Sequence, residues 1–159
     1  MNPLLRPLKR WWRSRGHGVH SPFAFRFITT VLREPGAYYA YPQIESMPDA
    51  EWLKLLFRLV CEFEPSRIEA IRLTPSERQA ISLADSRAEV SVGSTQGGAC
   101  MVMHGKDAEV MIERSITGHD SAWPRILGGM TSGMTFTNGS RGIAVIRPDL
   151  PRQDFEINF

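Results

Sequence analysis

Arg67-Ile-Glu-Ala-Ile-Arg-Leu-Thr-Pro-Ser-Glu-Arg78 follows the apolar run 52–63 and reads as a strand turning into a helix. Upstream, Asp49 stands at a helix N-cap position. Trp52, Leu55, Leu56, Leu59, Val60 and Phe63 then recur at helical spacing until Pro65 ends the run. A strand is expected over 67–73, and Thr74-Pro75 with Glu77 starts a second helix over 75–84. Helix, strand and helix in this order open an α/β fold. Ligands of such folds bind in the crevice at the carboxyl ends of the strands. The turn 71–76 is therefore where a nucleotide-like cofactor would sit, and it contains no glycine.

Downstream, strands are expected near 89–93, 99–104, 109–114, 134–138, 142–147 and 154–158, with a helix at about 119–127. The distance from Leu73 to Glu89 accommodates a helical crossover, so those two strands can be parallel. Only about four to six residues separate the strands at 89–93, 99–104 and 109–114, and a parallel crossover needs a dozen or more. An antiparallel meander is expected there, turning at Thr95-Gln-Gly-Gly98 and Gly105-Lys-Asp107. Asn138-Gly139 marks a hairpin between the strands that flank it. The fold class is thus α/β: a truncated, Rossmann-like mixed sheet with an antiparallel middle, a C-terminal hairpin and N-terminal helices.

A basic helical extension, 1–48, precedes the α/β domain, 49–159, within one compact unit. In it Leu4, Leu5, Leu8, Trp11 and Trp12 share a helical face opposite Arg6, Lys9, Arg10 and Arg13. That face suits either docking on the domain or an anionic membrane surface. Ser21 and Pro22 start a second helix, whose Phe23, Phe27, Ile28, Val31 and Leu32 form an apolar face. Tyr38, Tyr39 and Tyr41 fit a loop packed over the core. Residues 1–33 carry seven Lys/Arg and no acid, while 34–159 carry twelve against seventeen Asp/Glu. The basic start can meet a phosphate-rich surface or the acidic body of its own chain. No run approaches the ~18 apolar residues of a membrane span. Cys61 and Cys100 lack metal or redox spacing and read as buried, reduced thiols of a cytoplasmic protein. His17 and His20 have no third ligand nearby, so no metal site is expected.

Arg15-Gly-His-Gly-Val-His-Ser-Pro-Phe-Ala-Phe-Arg-Phe-Ile28 with Tyr38-Tyr-Ala-Tyr41 resembles the start of small bacterial class I S-adenosylmethionine-dependent methyltransferases, near their O-methyltransferase branch. Leu55-Leu-Phe-Arg-Leu-Val60 with Pro65-Ser-Arg-Ile-Glu-Ala70, and Met111-Ile-Glu-Arg114 onward to Trp123, are similar to interior parts of that family. Gly142-Ile-Ala-Val-Ile-Arg-Pro-Asp-Leu-Pro-Arg-Gln-Asp-Phe155 looks like its closing strands. The resemblance covers about two thirds of the chain and implies a methyltransferase-like sheet, an S-adenosylmethionine cofactor and small-molecule hydroxyl substrates.

The departures fall on the chemistry the resemblance implies. The family's first strand ends in an acid and a glycine-rich turn, whereas here Arg72 and Pro75 add bulk and remove a donor. The second strand ordinarily ends in a carboxylate for the ribose hydroxyls, and here only Ser91 and Ser94 offer hydrogen bonds. Arg72, Thr74, Ser91 and Ser94 are the cofactor-binding candidates. A later Ile-Asp-Gly motif corresponds to Met103-His104-Gly105. His104 with Asp107 is the catalytic candidate, an imidazole that titrates near neutral pH beside an acid able to orient it. Two crossovers expected in the family have no residues left to build them. The expected function is a methyltransferase-like pseudoenzyme without cofactor or catalysis, acting as a binding or interaction module. The alternatives are an active S-adenosylmethionine-dependent methyltransferase acting on a small-molecule hydroxyl, or a peripheral membrane or nucleic-acid binder through the basic N-terminus, with Arg6, Lys9, Arg10, Arg13, Arg15 and Arg26. An unknown protein partner or a homodimer through an open sheet edge fits the first reading, and nucleic acid is the less favoured partner.

Overall fold

The computed structural model describes residues 18–159. The expected helix over 3–15, the basic residues Arg6, Lys9, Arg10 and Arg13, and His17 lie outside the described residues. Ser21 caps the first described helix, α1 (Pro22–Phe27), by accepting a hydrogen bond from the Ala24 N–H, and a π-helical turn (Ile28–Leu32) continues it. A five-residue helix, α2 (Tyr41–Glu45), follows where a loop was expected. Its Pro42 occupies the first turn, where a missing N–H costs nothing. Next come α3 (Ala50–Phe63) and the strand β1 (Arg67–Ala70). They lead to α4 (Pro75–Ala84), β2 (Glu89–Val92), β3 (Met101–His104) and β4 (Glu109–Glu113). The chain closes with α5 (Trp123–Gly129), β5 (Met134–Thr137), β6 (Gly142–Ile146) and β7 (Gln153–Glu156). The helix expected over 119–127 begins later because Pro124 must lie in a first turn.

Among the described residues seven strands form one sheet in the order β2-β1-β3-β4-β6-β5-β7. β1 and β2 are parallel, joined by α4 as the spacing predicts. The hairpin at Asn138-Gly139 joins β5 and β6 antiparallel, with the Asn138 side chain accepting from the Ser140 and Arg141 N–H groups. β6 inserts between β4 and β5, and β7 runs parallel to β5 at the edge. The fold is therefore α/β with a mixed sheet.

The meander is only partly realised. β3 and β4 are antiparallel neighbours, but β3 pairs with β1, antiparallel, instead of with β2. Burial explains the placement. Met101, Val102 and Met103 are all buried, so β3 needs cover on both faces, whereas β2 is largely exposed and suits an edge. To reach that position the segment 93–100 crosses the carboxyl end of β1. Gly97 and Gly98, both at positive φ (65° and 73°), make the bend.

Alternate residues of the strands face two cores. Ile68, Met103, Val110, Phe136 and Val145 point toward Phe27, Phe57 and Ile81 of α1, α3 and α4, so residues before 49 share the sheet's main core. Val102, Met111 and Ala144 meet Trp123, Ile126 and Met130 from α5 and its end. Tyr38 and Tyr41 pack on Phe57, while exposed Tyr39 reaches the Leu83 carbonyl with its hydroxyl. No described helix is long and apolar enough to cross a membrane.

Arg58 ties these layers together. It is buried in α3, donating from Nε to the Val31 carbonyl at 2.5 Å and from Nη1 to the Tyr41 hydroxyl at 2.7 Å. Arg58→Met keeps the volume but leaves carbonyls at the end of the π turn without their donor. It is expected to destabilise by about 2 kcal/mol, read from the urea midpoint.

Candidate binding pocket at the carboxyl ends of β1 and β4

β1 and β4 point the same way, because each is antiparallel to β3 between them. Beyond their carboxyl ends lies a cavity of about 370 Å³ lined by Pro48, Asp49, Trp52, Leu53, Thr74, Ser76, Glu77, Arg114 and Arg141. Its floor follows from the capping box of α4. Thr74 Oγ1 accepts from the Glu77 N–H at 3.1 Å, and Glu77 Oε2 accepts from the Thr74 N–H at 2.9 Å. Glu77 is buried, and its other oxygen accepts from Trp52 Nε1 at 2.8 Å and pairs with Arg114 at 2.6 Å. One carboxylate thus fixes the helix start, the indole and the guanidinium of the residue after β4.

The opposite wall is α3. Asp49 occupies its N-cap position, as expected, but in a left-handed conformation (φ 57°) with no capping hydrogen bond from its side chain. Its carboxylate instead meets Arg141 at 3.4 Å, and that guanidinium lies 5.2 Å from the centroid of the Trp52 ring. Arg114 and Arg141 are each about one-third exposed.

The turn after β1 is closed on its other side. The Ile71 N–H donates to the Cys100 carbonyl at 3.1 Å, and the Gly93 N–H donates to the Ala70 carbonyl at 2.9 Å, so segment 93–100 bridges the strand end. Cys100 Sγ donates to the buried Glu113 carboxylate at 2.9 Å. Burial, and then this hydrogen bond, push the Cys100 thiol pKa up. Both cysteines are free. Cys100 is half-buried and Cys61 exposed, which corrects the expectation of two buried thiols.

The cofactor candidates do not line this cavity together. Thr74 does, but its hydroxyl is committed to the capping box. Arg72 is exposed and contributes its carbonyl to Arg114. Ser91 lies in the edge strand opposite Glu69, and Ser94 is exposed in the bridging segment. His104 ends β3 and is therefore paired with Arg67 at the amino end of β1, the other end of the sheet. Its Nε2 is 3.4 Å from Glu69 and its Nδ1 3.4 Å from Glu109, so these carboxylates lie beside the ring. Asp107 borders a separate cavity with Lys106 and Arg147. His20 is exposed, and among the described residues no group of three His, Cys, Asp or Glu side chains is placed to hold a metal.

Trp52, Glu77, Arg114 and Arg141 are the pocket residues that sequence reasoning did not single out as a site. Trp52 reads as core and Glu77 as a cap, which each also is. The available signal was position: Arg114 follows the last apolar strand residues of β4, and Arg141 precedes β6 at the same sheet end. The chain matches no family model, and no curated protein or solved structure shows a significant match to it.

Proposed function

We propose that this chain is a methyltransferase-like protein that has lost S-adenosylmethionine binding and catalysis and works as a binding module. The observation carrying this reading is the closed turn after β1. An active cofactor site of that class needs a glycine-rich backbone open to the ligand. Here α4 satisfies its own N-terminus through Thr74 and Glu77, and segment 93–100 bridges the strand end through the Ile71–Cys100 hydrogen bond. The carboxylate of Glu77 also lies in the first turn of α4 and offsets the positive end of that helix.

What stays open at this sheet end is the cavity between α3, α4, Arg114 and Arg141, and it is the proposed binding surface. The N-terminal Arg6, Lys9, Arg10 and Arg13 remain a proposed second contact with an anionic surface. Arg26 is spent on Glu62, with which it makes two hydrogen bonds.

Titration calorimetry of the full chain with S-adenosylmethionine and S-adenosylhomocysteine tests the reading. No heat at millimolar ligand is expected. Micromolar affinity for either would overturn it and restore the active enzyme.

A further inference from the structure

We propose that the cavity beside Trp52 binds a small organic anion, a carboxylate or phosphate monoester, held between Arg114 and Arg141. This rests on the binding-module reading and gives that pocket its ligand class.

Exposed guanidinium donors and the loosely held Arg141–Asp49 pair carry the inference. Glu77 already receives hydrogen bonds from Trp52, Thr74 and Arg114, so its charge is spent within the protein. Arg114 has five N–H donors. Its Nη2 serves Glu77 and the Arg72 carbonyl, while its Nε is buried and finds no acceptor among the described residues. The guanidinium is about one-third exposed, so the N–H groups on its open side, and not the enclosed Nε, are what it can offer an oxyanion. Arg141 is held loosely: its partner Asp49 is exposed, and the 3.4 Å contact is long for a charged hydrogen bond. An incoming anion can replace Asp49 there while the guanidinium keeps its place over Trp52.

The helix α3 adds to this field. Its fourteen residues begin at the pocket without a side-chain cap, and a helix N-terminus favours negative charge. Pro48, Leu53 and the Trp52 ring supply an apolar wall, which suits a ligand with a hydrocarbon body. The two guanidiniums formally balance Glu77 and Asp49; a cation is disfavoured because Glu77 is buried and saturated and Asp49 already pairs with Arg141.

The test is a titration of ¹⁵N-labelled full chain with inorganic phosphate and, separately, with benzoate. It follows the Trp52 Nε1–H and Arg114 Nε–H resonances. Saturable shifts of both signals are expected with at least one probe, weakened roughly tenfold or more by Arg141→Gln. That variant leaves the Glu77–Arg114 pair intact, so it keeps the fold. Benzoate alone would assign a carboxylate ligand, and phosphate alone a phosphate monoester. Absent or unsaturable shifts with both probes, or saturable shifts indifferent to Arg141→Gln, would overturn the proposal. Calorimetric heat from S-adenosylmethionine would sink the lost-cofactor reading and leave the anion site to stand on these shifts.

Discussion

Gly133→Ala is expected to destabilise the protein by about 4 kcal/mol, combining overpacking with a strained backbone. Gly133 enters β5 at φ +100°, a conformation that side-chain-bearing residues rarely adopt. A Cβ there would lie 2.3 Å from the Val145 carbonyl oxygen and 2.9 Å from the Ile146 Cα. Both atoms are backbone of β6, which is held between β4 and β5 and cannot give way. Gly133 itself is pinned: its N–H donates to the Leu150 carbonyl at 3.0 Å and its carbonyl accepts from Gln153 at 3.2 Å. Urea unfolding should show a lower midpoint with unchanged slope, and thermal unfolding a midpoint lower by roughly 10 °C. A loss under about 1 kcal/mol would mean that the β5–β6 ladder yields where this account holds it rigid.

Glu77→Ala should cost about 3 kcal/mol, because breaking a buried ion pair strands its partner. The substitution leaves Trp52 Nε1 without an acceptor, opens the start of α4 and removes the counter-charge of Arg114. The cost lies at the lower end of the range for buried pairs because Arg114 is about one-third exposed and can turn to water. Glu77→Gln keeps an acceptor and should fall between wild type and Glu77→Ala. Adding Arg114→Met to Glu77→Ala should recover part of the loss, since the stranded charge goes with it. Additive losses in the double variant would show that Glu77 acts as a cap alone. Its pairing with Arg114 would then be incidental.

Much of the fold was legible in the sequence because local chemistry dictates it. Ser21-Pro22 and the Thr74–Glu77 capping box start helices at the residues where the structure starts them. Asn138-Gly139 sets its hairpin, and the apolar stripe from Trp52 faces the main core. Spacing also left room for the helix that joins β1 and β2 in parallel. Less was legible where neighbours distant in sequence decide. Asp49 has a capping residue's identity and position, yet its side chain turns to Arg141, ninety-two residues away, instead of to its own helix. Sequence proximity pairs His104 with Asp107, but strand pairing sets it between Glu69 and Glu109.

By itself the sequence determined most of the helices and strands and the hairpin turn at Asn138-Gly139, through capping side chains and turn residues, but not the short helix Tyr41–Glu45. It also determined that the turn after β1 has no glycine. Only the tertiary structure decided that β3 crosses β1 to the sheet's interior, because a strand buried on both faces needs cover that no local interaction supplies. That crossing closes the end of β1 with segment 93–100. Sheet order likewise brings Arg114 and Arg141, the first just after one strand and the second just before another, to one pocket over Trp52.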